Sequence, residues 1–200
     1  LEGNDVDLSL VFEEFGKSII VEPYLANVVL SGGVLKRGDL DQKSEFIESL
    51  ISGNKQFSLA NYEPNKGYNL DNIECTISSD GIVSGRKTTV LNAPNADYFI
   101  VFGKQGSGYS FAPVPKDAEG LEVVGYKTYD GFVSGDLNLK NCKAETIFSS
   151  SNALDILRES VNEAIVCVCS EAIGAMEKCY KLTIEYTQQR EQFGQSLSKF

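Results

Sequence analysis

The stretch Arg190-Glu191-Gln192-Phe193-Gly194 gathers a guanidinium, an amide, an aromatic ring and a glycine at the end of a long amphipathic pattern. On spacing alone it reads as a surface arginine, a helix cap at Gly194 and a core phenylalanine. Other chemistry is bounded by what the chain lacks. It has no histidine, which excludes Ser-His-Asp and Cys-His catalysis within these residues and leaves carboxylates, lysines, tyrosines and thiols as acids or bases. The cysteines, at 75, 142, 167, 169 and 179, form no pair of CxxC elements. Without imidazole ligands, no structural zinc or other metal site is expected. Cys167 and Cys169 lie two apart in a helical pattern and point to different faces. All are read as buried, reduced thiols of a cytoplasmic protein.

The elements that must position these groups are bounded by composition. The 200 residues are 42% hydrophobic, 23% charged and 10% aromatic, enough to bury a core in one large domain or two small ones. Net charge is -10, from 28 acidic residues against 18 Lys and Arg, with no long basic run. Attraction to a nucleic-acid backbone is therefore not expected. No apolar stretch reaches the length of a membrane span, and no basic segment followed by an apolar one opens the chain, so neither a transmembrane helix nor a signal peptide is expected. The missing initial methionine and the end just after a helix-end signal predict a piece of a longer chain.

From Val6 to Leu50 apolar residues recur at helical spacing and predict three short helices, punctuated by Gly16, Pro23, Gly32-Gly33 and Gly38-Asp39, with Pro23 suited to the opening turn of the second. Between Lys55 and Ile147 the pattern becomes short alternating or apolar strands, "FSLANY", "ECTIS", "GIVSGRKTTV", "DYFIVFGK", "YSFAPV" and "LEVVGYK", which predict a mostly antiparallel β domain. Asp80-Gly81 is its clearest hairpin turn. After an N-cap at Ser151 or Asn152, apolar residues from Leu154 through Leu157, Val161, Ile165 and Val168 to Ala175, Cys179, Leu182 and Tyr186 run down one side of a helix. Continued to Arg190 it would exceed about 50 Å at about 1.5 Å per residue. The small residues Ala172, Gly174 and Ala175 would let a second helix approach closely. Either a break near Gly174 or one elongated bundle helix fits, and the bundle helix is favoured.

This order, helices, β domain, then a long helix closing in "YTQQREQFG", resembles the acyl-CoA dehydrogenase family over nearly the whole chain. "SLVFEEFGKSIIVEPYLANVVLSGGVL" is similar to the end of the family's N-terminal helical domain, "SLANYEP" to the opening of its middle β domain, and "GIVSGRKTTVLNAPNADYFIVFGK" to the strand pair of its flavin wall. "CSEAIGAMEKCYKLTIEYTQQREQFGQSLSKF" resembles the first long helix of its C-terminal four-helix bundle and the loop beyond. The implied fold is α+β, with residues 1–53 ending the N-terminal helical domain, 54–148 the middle β domain and 149–200 opening the bundle. "EPYL", "DG" and "EAIGAM" are most similar to the small subunit of the heteromeric pimeloyl-CoA dehydrogenase type.

The resemblance implies FAD as cofactor, with Arg190, Gln192 and Phe193 reaching across a subunit interface to the adenosine diphosphate part of a neighbour's FAD. A guanidinium pairs bidentately with a pyrophosphate, an amide adds neutral hydrogen bonds, a ring packs against the cofactor, and Gly194 lets the backbone turn. Two stretches depart from the family's pattern. Its "TEPxxGSD" is here "YEPNKGYN", so Tyr62 replaces the threonine, and Tyr68 and Asn69 the serine and aspartate. Its "WITN" is here "TVLN", which puts Thr89 in place of the indole and Leu91 in place of a hydroxyl. Tyr62 and Leu91 are therefore carried over as pocket-lining positions only. The family's catalytic glutamate lies beyond this chain or, in some members, at the position of Ala164, which cannot serve. Glu163 is adjacent but turned about 100° around the helix. Glu13, Glu14 and Glu171 read as helix-surface carboxylates.

The implied activity is α,β-dehydrogenation of an acyl-CoA thioester, such as a dicarboxylyl-CoA, with electrons passed to electron-transfer flavoprotein by a homo- or hetero-oligomer. The alternative is a catalytically silent structural subunit of a heteromeric enzyme.

Overall fold

The computed structural model describes residues 4–39, 43–149 and 152–200. They divide into two compact units: residues up to Ile20 together with Glu163–Phe200, and Val21–Asn162.

In the Val21–Asn162 unit, a π-helical turn, Leu25–Ser31, passes directly into α2, Gly32–Arg37, and α3 spans Lys43–Ile51. Gly32-Gly33 therefore lies inside a continuous helical run instead of interrupting it. A Cβ on Gly33 would come 3.1 Å from the Ser160 Oγ, so the glycine serves a close approach. The strands are β1 (Phe57–Ala60), β2 (Thr76–Ile77), β3 (Ile82–Leu91), β4 (Tyr98–Gln105), β5 (Gly108–Pro115), β6 (Leu121–Lys127), β7 (Val133–Lys143) and β8 (Phe148–Ser149). They form one sheet in the order β6-β7-β3-β2-β4-β5-β8, with β1 added on β4. Most pairs are antiparallel, as the sequence predicts, but β1 and β2 both run parallel to β4. The Asp80-Gly81 turn joins β2 to β3 with Gly81 at φ 81° and the Ser78 amide donating to the Ile82 carbonyl at 2.9 Å.

Burial follows the strand pattern. Residues Phe99 to Phe102 of β4 are fully buried, and α3 docks Phe46 edge-on against Phe57, 5.7 Å between ring centroids, while Phe57 stacks on Tyr98 at 5.6 Å. Asn27, buried in the π-helical turn, accepts the first β1 amide, Phe57, at 2.8 Å.

The other unit is a crossing of two helices. α1, Asp5–Ser18, opens with a capping box in which the Asn4 Oδ1 accepts the Val6 and Asp7 amides and Asp7 accepts the Asn4 amide. It ends at Ile19 in the left-handed region, φ 52°. α4, Ala153–Gln189, is a single helix of 37 residues, unbroken at Gly174. Its entry is capped at Asn152, whose carbonyl accepts the Ile156 amide at 3.0 Å; the alternative cap, Ser151, lies outside the described residues. A Cβ on Gly16 would overlap the Glu171 carbonyl, and one on Gly174 the Glu13 carbonyl, so the two backbones touch where both helices carry glycine. Gly16 is thus a crossing point and not a helix end.

The buried face of α4 differs from the apolar stripe expected. Ala164, Cys167 and Gly174 are buried, whereas Ile165, Val168, Leu182 and Tyr186 are exposed, because close backbone approach selects small residues for the packed face. Lys17 bridges Glu13, Glu14 and Glu177 at 2.9 to 3.0 Å, and Lys181 together with Lys17 holds the Glu177 carboxyl down to about 2. Not all thiols are buried: Cys75, Cys142 and Cys167 are, and Cys169 and Cys179 are exposed.

One buried ion pair ties a long loop to the sheet. Glu63 and Lys87 are 5% and 1% exposed, with the Lys87 Nζ 2.8 Å from the Glu63 Oε1. The same carboxylate accepts the Glu74 amide at 2.7 Å and the Cys75 amide at 2.9 Å. Burial raises the Glu63 carboxyl, but the charge and direct hydrogen bond of Lys87 and the two backbone donors overcome it and hold it below the ordinary carboxylate range.

Two outcomes follow from these contacts. Gly174→Ala is expected to lower stability by at least about 1–3 kcal/mol, because the added methyl meets backbone that cannot yield; an unchanged thermal unfolding midpoint would refute the close crossing. For Glu63 the folded pKa is depressed, so its stabilisation is complete above the unfolded value of about 4.3 and disappears as pH falls through the lower folded value. Glu63→Gln should cost about 3–5 kcal/mol at neutral pH by stranding buried Lys87, and should flatten the stability curve below about pH 4. Denaturant titrations from pH 2 to 7 measure both effects, and parallel curves for the two proteins would rule the linkage out.

Candidate functional site

The closing motif forms a hairpin. α4 stops at Gln189, and the Arg190 amide still donates to the Tyr186 carbonyl at 2.8 Å. β9, Glu191–Gln192, then pairs antiparallel with β10, Gln195–Ser196, with Gln192 opposite Gln195. The two central residues, Phe193 at φ 50° and Gly194 at φ 81°, both lie in the left-handed region, as a type I′ turn requires. The Arg190 carbonyl accepts the Leu197 amide at 2.9 Å. Arg190 is therefore fixed at both backbone groups, while its guanidinium is exposed and makes no hydrogen bond or ion pair among the described residues. Phe193 is 94% exposed, and the Phe200 ring stands nearly perpendicular to it, 6.4 Å between centroids. It is not a core residue, and Gly194 turns a hairpin instead of capping a helix. The Gln192 amide nitrogen donates to its neighbour's carbonyl, Glu191, at 2.8 Å.

Tyr62 and Leu91 belong to the Val21–Asn162 unit, and backbone bonds bring them to the same strand. The Tyr62 carbonyl accepts the Thr88 amide at 3.0 Å, three residues before Leu91 ends β3 opposite Ser134. Both side chains are half-buried. Burial pushes the Tyr62 phenol above the ordinary tyrosine value, against an opposing hydrogen bond with Asn61. Its ring meets Tyr68 edge to face, 6.0 Å between centroids and 88° between planes, and Tyr68 itself is 90% exposed. Leu91 offers only an aliphatic surface.

Ala164 is buried, and Glu163 beside it is half-buried. Glu13 and Glu14 are engaged by Lys17. Thiol chemistry finds little support in the sheet, since burial pushes the Cys75 thiol up to about 11 and raises that of Cys142 as well. Among the described residues no cluster of three or more His, Cys, Asp or Glu could hold a metal, and no helix is long and apolar enough to cross a membrane.

Sequence reasoning missed the Glu63–Lys87 pair that fixes the strand between Tyr62 and Leu91. A signal was present: in the alternation of β3, Lys87 falls in phase with buried Val83, on the face that packs inward.

Residues 58–142 match the model of the acyl-CoA dehydrogenase middle domain, and residues 154–200 that of the acyl-CoA dehydrogenase C-terminal domain. The mitochondrial 2-methylacyl-CoA dehydrogenase of Solanum tuberosum is 26% identical over 84% of this chain and 44% of its own length. A subunit of the caffeyl-CoA reductase-Etf complex of Acetobacterium woodii is 25% identical over 99% of this chain and 57% of its own. The glutaryl-CoA dehydrogenase of Mycobacterium smegmatis, solved in complex with FADH2, shares the fold with a TM-score of 0.87 at 26% identity, over 99% of this chain and 54% of that one. The chain spans about half the length of the curated relatives it matches. Matched in order along one α+β chain, residues 58–142 and 154–200 thus carry the middle and C-terminal domains of the acyl-CoA dehydrogenase family.

Proposed function

We propose that the chain is part of a subunit of an FAD-dependent acyl-CoA dehydrogenase, which introduces an α,β double bond into an acyl-CoA thioester. Residues 1–53, 54–148 and 149–200 then contribute to the N-terminal helical, middle β and C-terminal bundle domains. The observation that carries the reading is the guanidinium of Arg190, solvent-facing on a backbone pinned at both its N–H and its C=O.

The residues suit the cofactor unevenly. Arg190, the Gln192 amide and the exposed Phe193 ring make a donor set for a pyrophosphate and its adenosine, presented outward to a second subunit. Tyr62 and Leu91 suit packing against a flavin, but Leu91 brings no hydroxyl, and the Thr88 hydroxyl already donates to Asp136 at 2.8 Å. Bound FAD would supply the acceptor for a hydride equivalent from the β carbon of the thioester. Arg190 would neutralise phosphate charge on the cofactor of a neighbouring subunit, and Tyr62 and Leu91 would shield from water a flavin held by this one. Ala164 cannot take the α proton, and Glu163 is the one neighbouring carboxylate on that helix. Transfer of electrons to electron-transfer flavoprotein is supported by the relative named as part of an Etf complex. The finer reading, one subunit of a cytoplasmic heteromer acting on a dicarboxylyl-CoA such as pimeloyl-CoA, rests on the short motifs "EPYL", "DG" and "EAIGAM".

Leu91 and Ala164 favour a second reading, a catalytically silent structural subunit. Arg190→Ala in the assembled enzyme separates the two. Loss of a bidentate charge-assisted contact worth about 1.5–3 kcal/mol should weaken FAD binding roughly tenfold to a hundredfold, read from the flavin absorbance retained after gel filtration. Full flavin retention in the variant would instead support the structural subunit.

A further inference from the structure

Strand β3 carries a bulge in the segment that joins Tyr62 to Leu91. Its pairing with β7 shifts register between Lys87 and Val90, and Thr89 within the shift has φ 53°. A β-branched residue in the left-handed region is a genuine outlier, which persists only where its surroundings over-determine it. Here the determinant is a single carboxylate on β7. The Asp136 Oδ1 accepts the Thr88 hydroxyl at 2.8 Å, the Thr89 amide at 3.1 Å and, from β6, the Tyr126 hydroxyl at 3.2 Å. Two of these donors come from the bulge itself and the third from the strand beyond, so one carboxylate oxygen spans three strands. The bulge is also where the Thr88 amide reaches the Tyr62 carbonyl, at 3.0 Å. A bulge re-aims the side chains that follow it, and Val90, directly after, is buried while Leu91 lies half-exposed at the strand end. One residue less in β3 would exchange those two faces.

We infer that Asp136 is a positioning residue for the cofactor wall: it holds the strained Thr88-Thr89 bulge closed and thereby sets how Tyr62 and Leu91 are presented. This rests on the reading that these two positions line a flavin. Asp136 acts through the backbone it grips, by its bonds to Thr88 and Thr89.

The test uses the complete subunit, assembled with its partner, in four forms: wild type, Asp136→Ala, Thr89→Gly and the double variant. The readouts are the visible absorption maxima and the reduction potential of bound flavin, with thermal unfolding as a control for stability. Asp136→Ala is expected to shift the flavin bands and potential. Glycine adopts the left-handed conformation without strain, so at position 89 it makes the carboxylate dispensable. Thr89→Gly and the double variant should therefore match one another in flavin properties, a comparison that holds even if Asp136→Ala alone does not fold. A flavin-loaded wild type with an unshifted Asp136→Ala, or glycine variants that differ from one another as much as wild type differs from Asp136→Ala, overturns the role of Asp136 alone. An assembled wild type that carries no flavin overturns the underlying reading, and this role with it.

Discussion

Burying a lysine and a glutamate together is tolerable only if each charge is answered, and the pair Glu63–Lys87 dictates much of what surrounds it. Glu63 stands at the head of a loop that wanders through residues 64–72 before the chain returns to the sheet at β2. The carboxylate gathers the far end of that loop by accepting the amides of Glu74 and Cys75, and gathers β3 by accepting Lys87. A well-packed apolar pair could equal the ion pair in stability, but it could not accept two backbone N–H groups. Loop, β2 and β3 are thus fixed to one another by a single side chain. The close fit that results is visible at Gly85, where a Cβ would come 2.8 Å from Cys75.

The two faces of β3 are held by different contacts. Lys87 goes inward with Val83, whereas Arg86 and Thr88 take the other face, where the Arg86 Nε donates to the Asn138 Oδ1 and the Asn138 amide in turn to Glu122. That ladder and the Thr88–Asp136–Tyr126 set cross the same three strands, two residues apart on β3 and β7 and four apart on β6. Hydrogen-bonded side chains therefore pin β6, whose residues are mostly exposed, at the edge of the sheet. The inner face is stabilised by a buried ion pair and the outer face by neutral and charge-assisted hydrogen bonds, and the bulge at Thr89 is where the two sets of constraints meet.

Much of this was legible in the sequence because it follows from local periodicity. The three early helices, the Asp80-Gly81 hairpin, the strand sequence from "FSLANY" to "LEVVGYK" and the long unbroken helix all appear where apolar spacing and turn chemistry put them. Pairing was less legible. Short turns announce antiparallel neighbours, but nothing local announces that β1 and β2 will each lie parallel to β4. The face of α4 was misread for a physical reason: periodicity selects large apolar residues, while a crossing at backbone contact selects Gly16 and Gly174 and leaves Ile165 and Val168 outside. Spacing alone made Phe193 a core residue because a hydrophobic residue and a glycine after a helix look like a cap; a phenylalanine at φ 50° in a type I′ turn is an uncommon use of that residue.

The site divides along the same line between local and non-local information. Spacing alone made Arg190 an ordinary surface residue, and the resemblance of the whole chain gave it a role; the structure adds why that role is physically economical. Most of the cost of engaging a ligand with an arginine lies in ordering flexible groups. With its N–H bound to Tyr186 and its carbonyl to Leu197, Arg190 has its backbone already ordered by the helix end and the hairpin, and only side-chain rotamers remain to be fixed. Tyr62 and Leu91 present the opposite case, since their placement depends on the Glu63–Lys87 pair and the Thr89 bulge, both made by residues distant in sequence. Under the proposed reading, an outward-facing arginine on a self-contained hairpin tolerates change in the rest of its own chain. A flavin wall built from long-range contacts does not, and that difference accounts for a chain that retains "REQFG" while its "TEPxxGSD" and "WITN" positions have drifted.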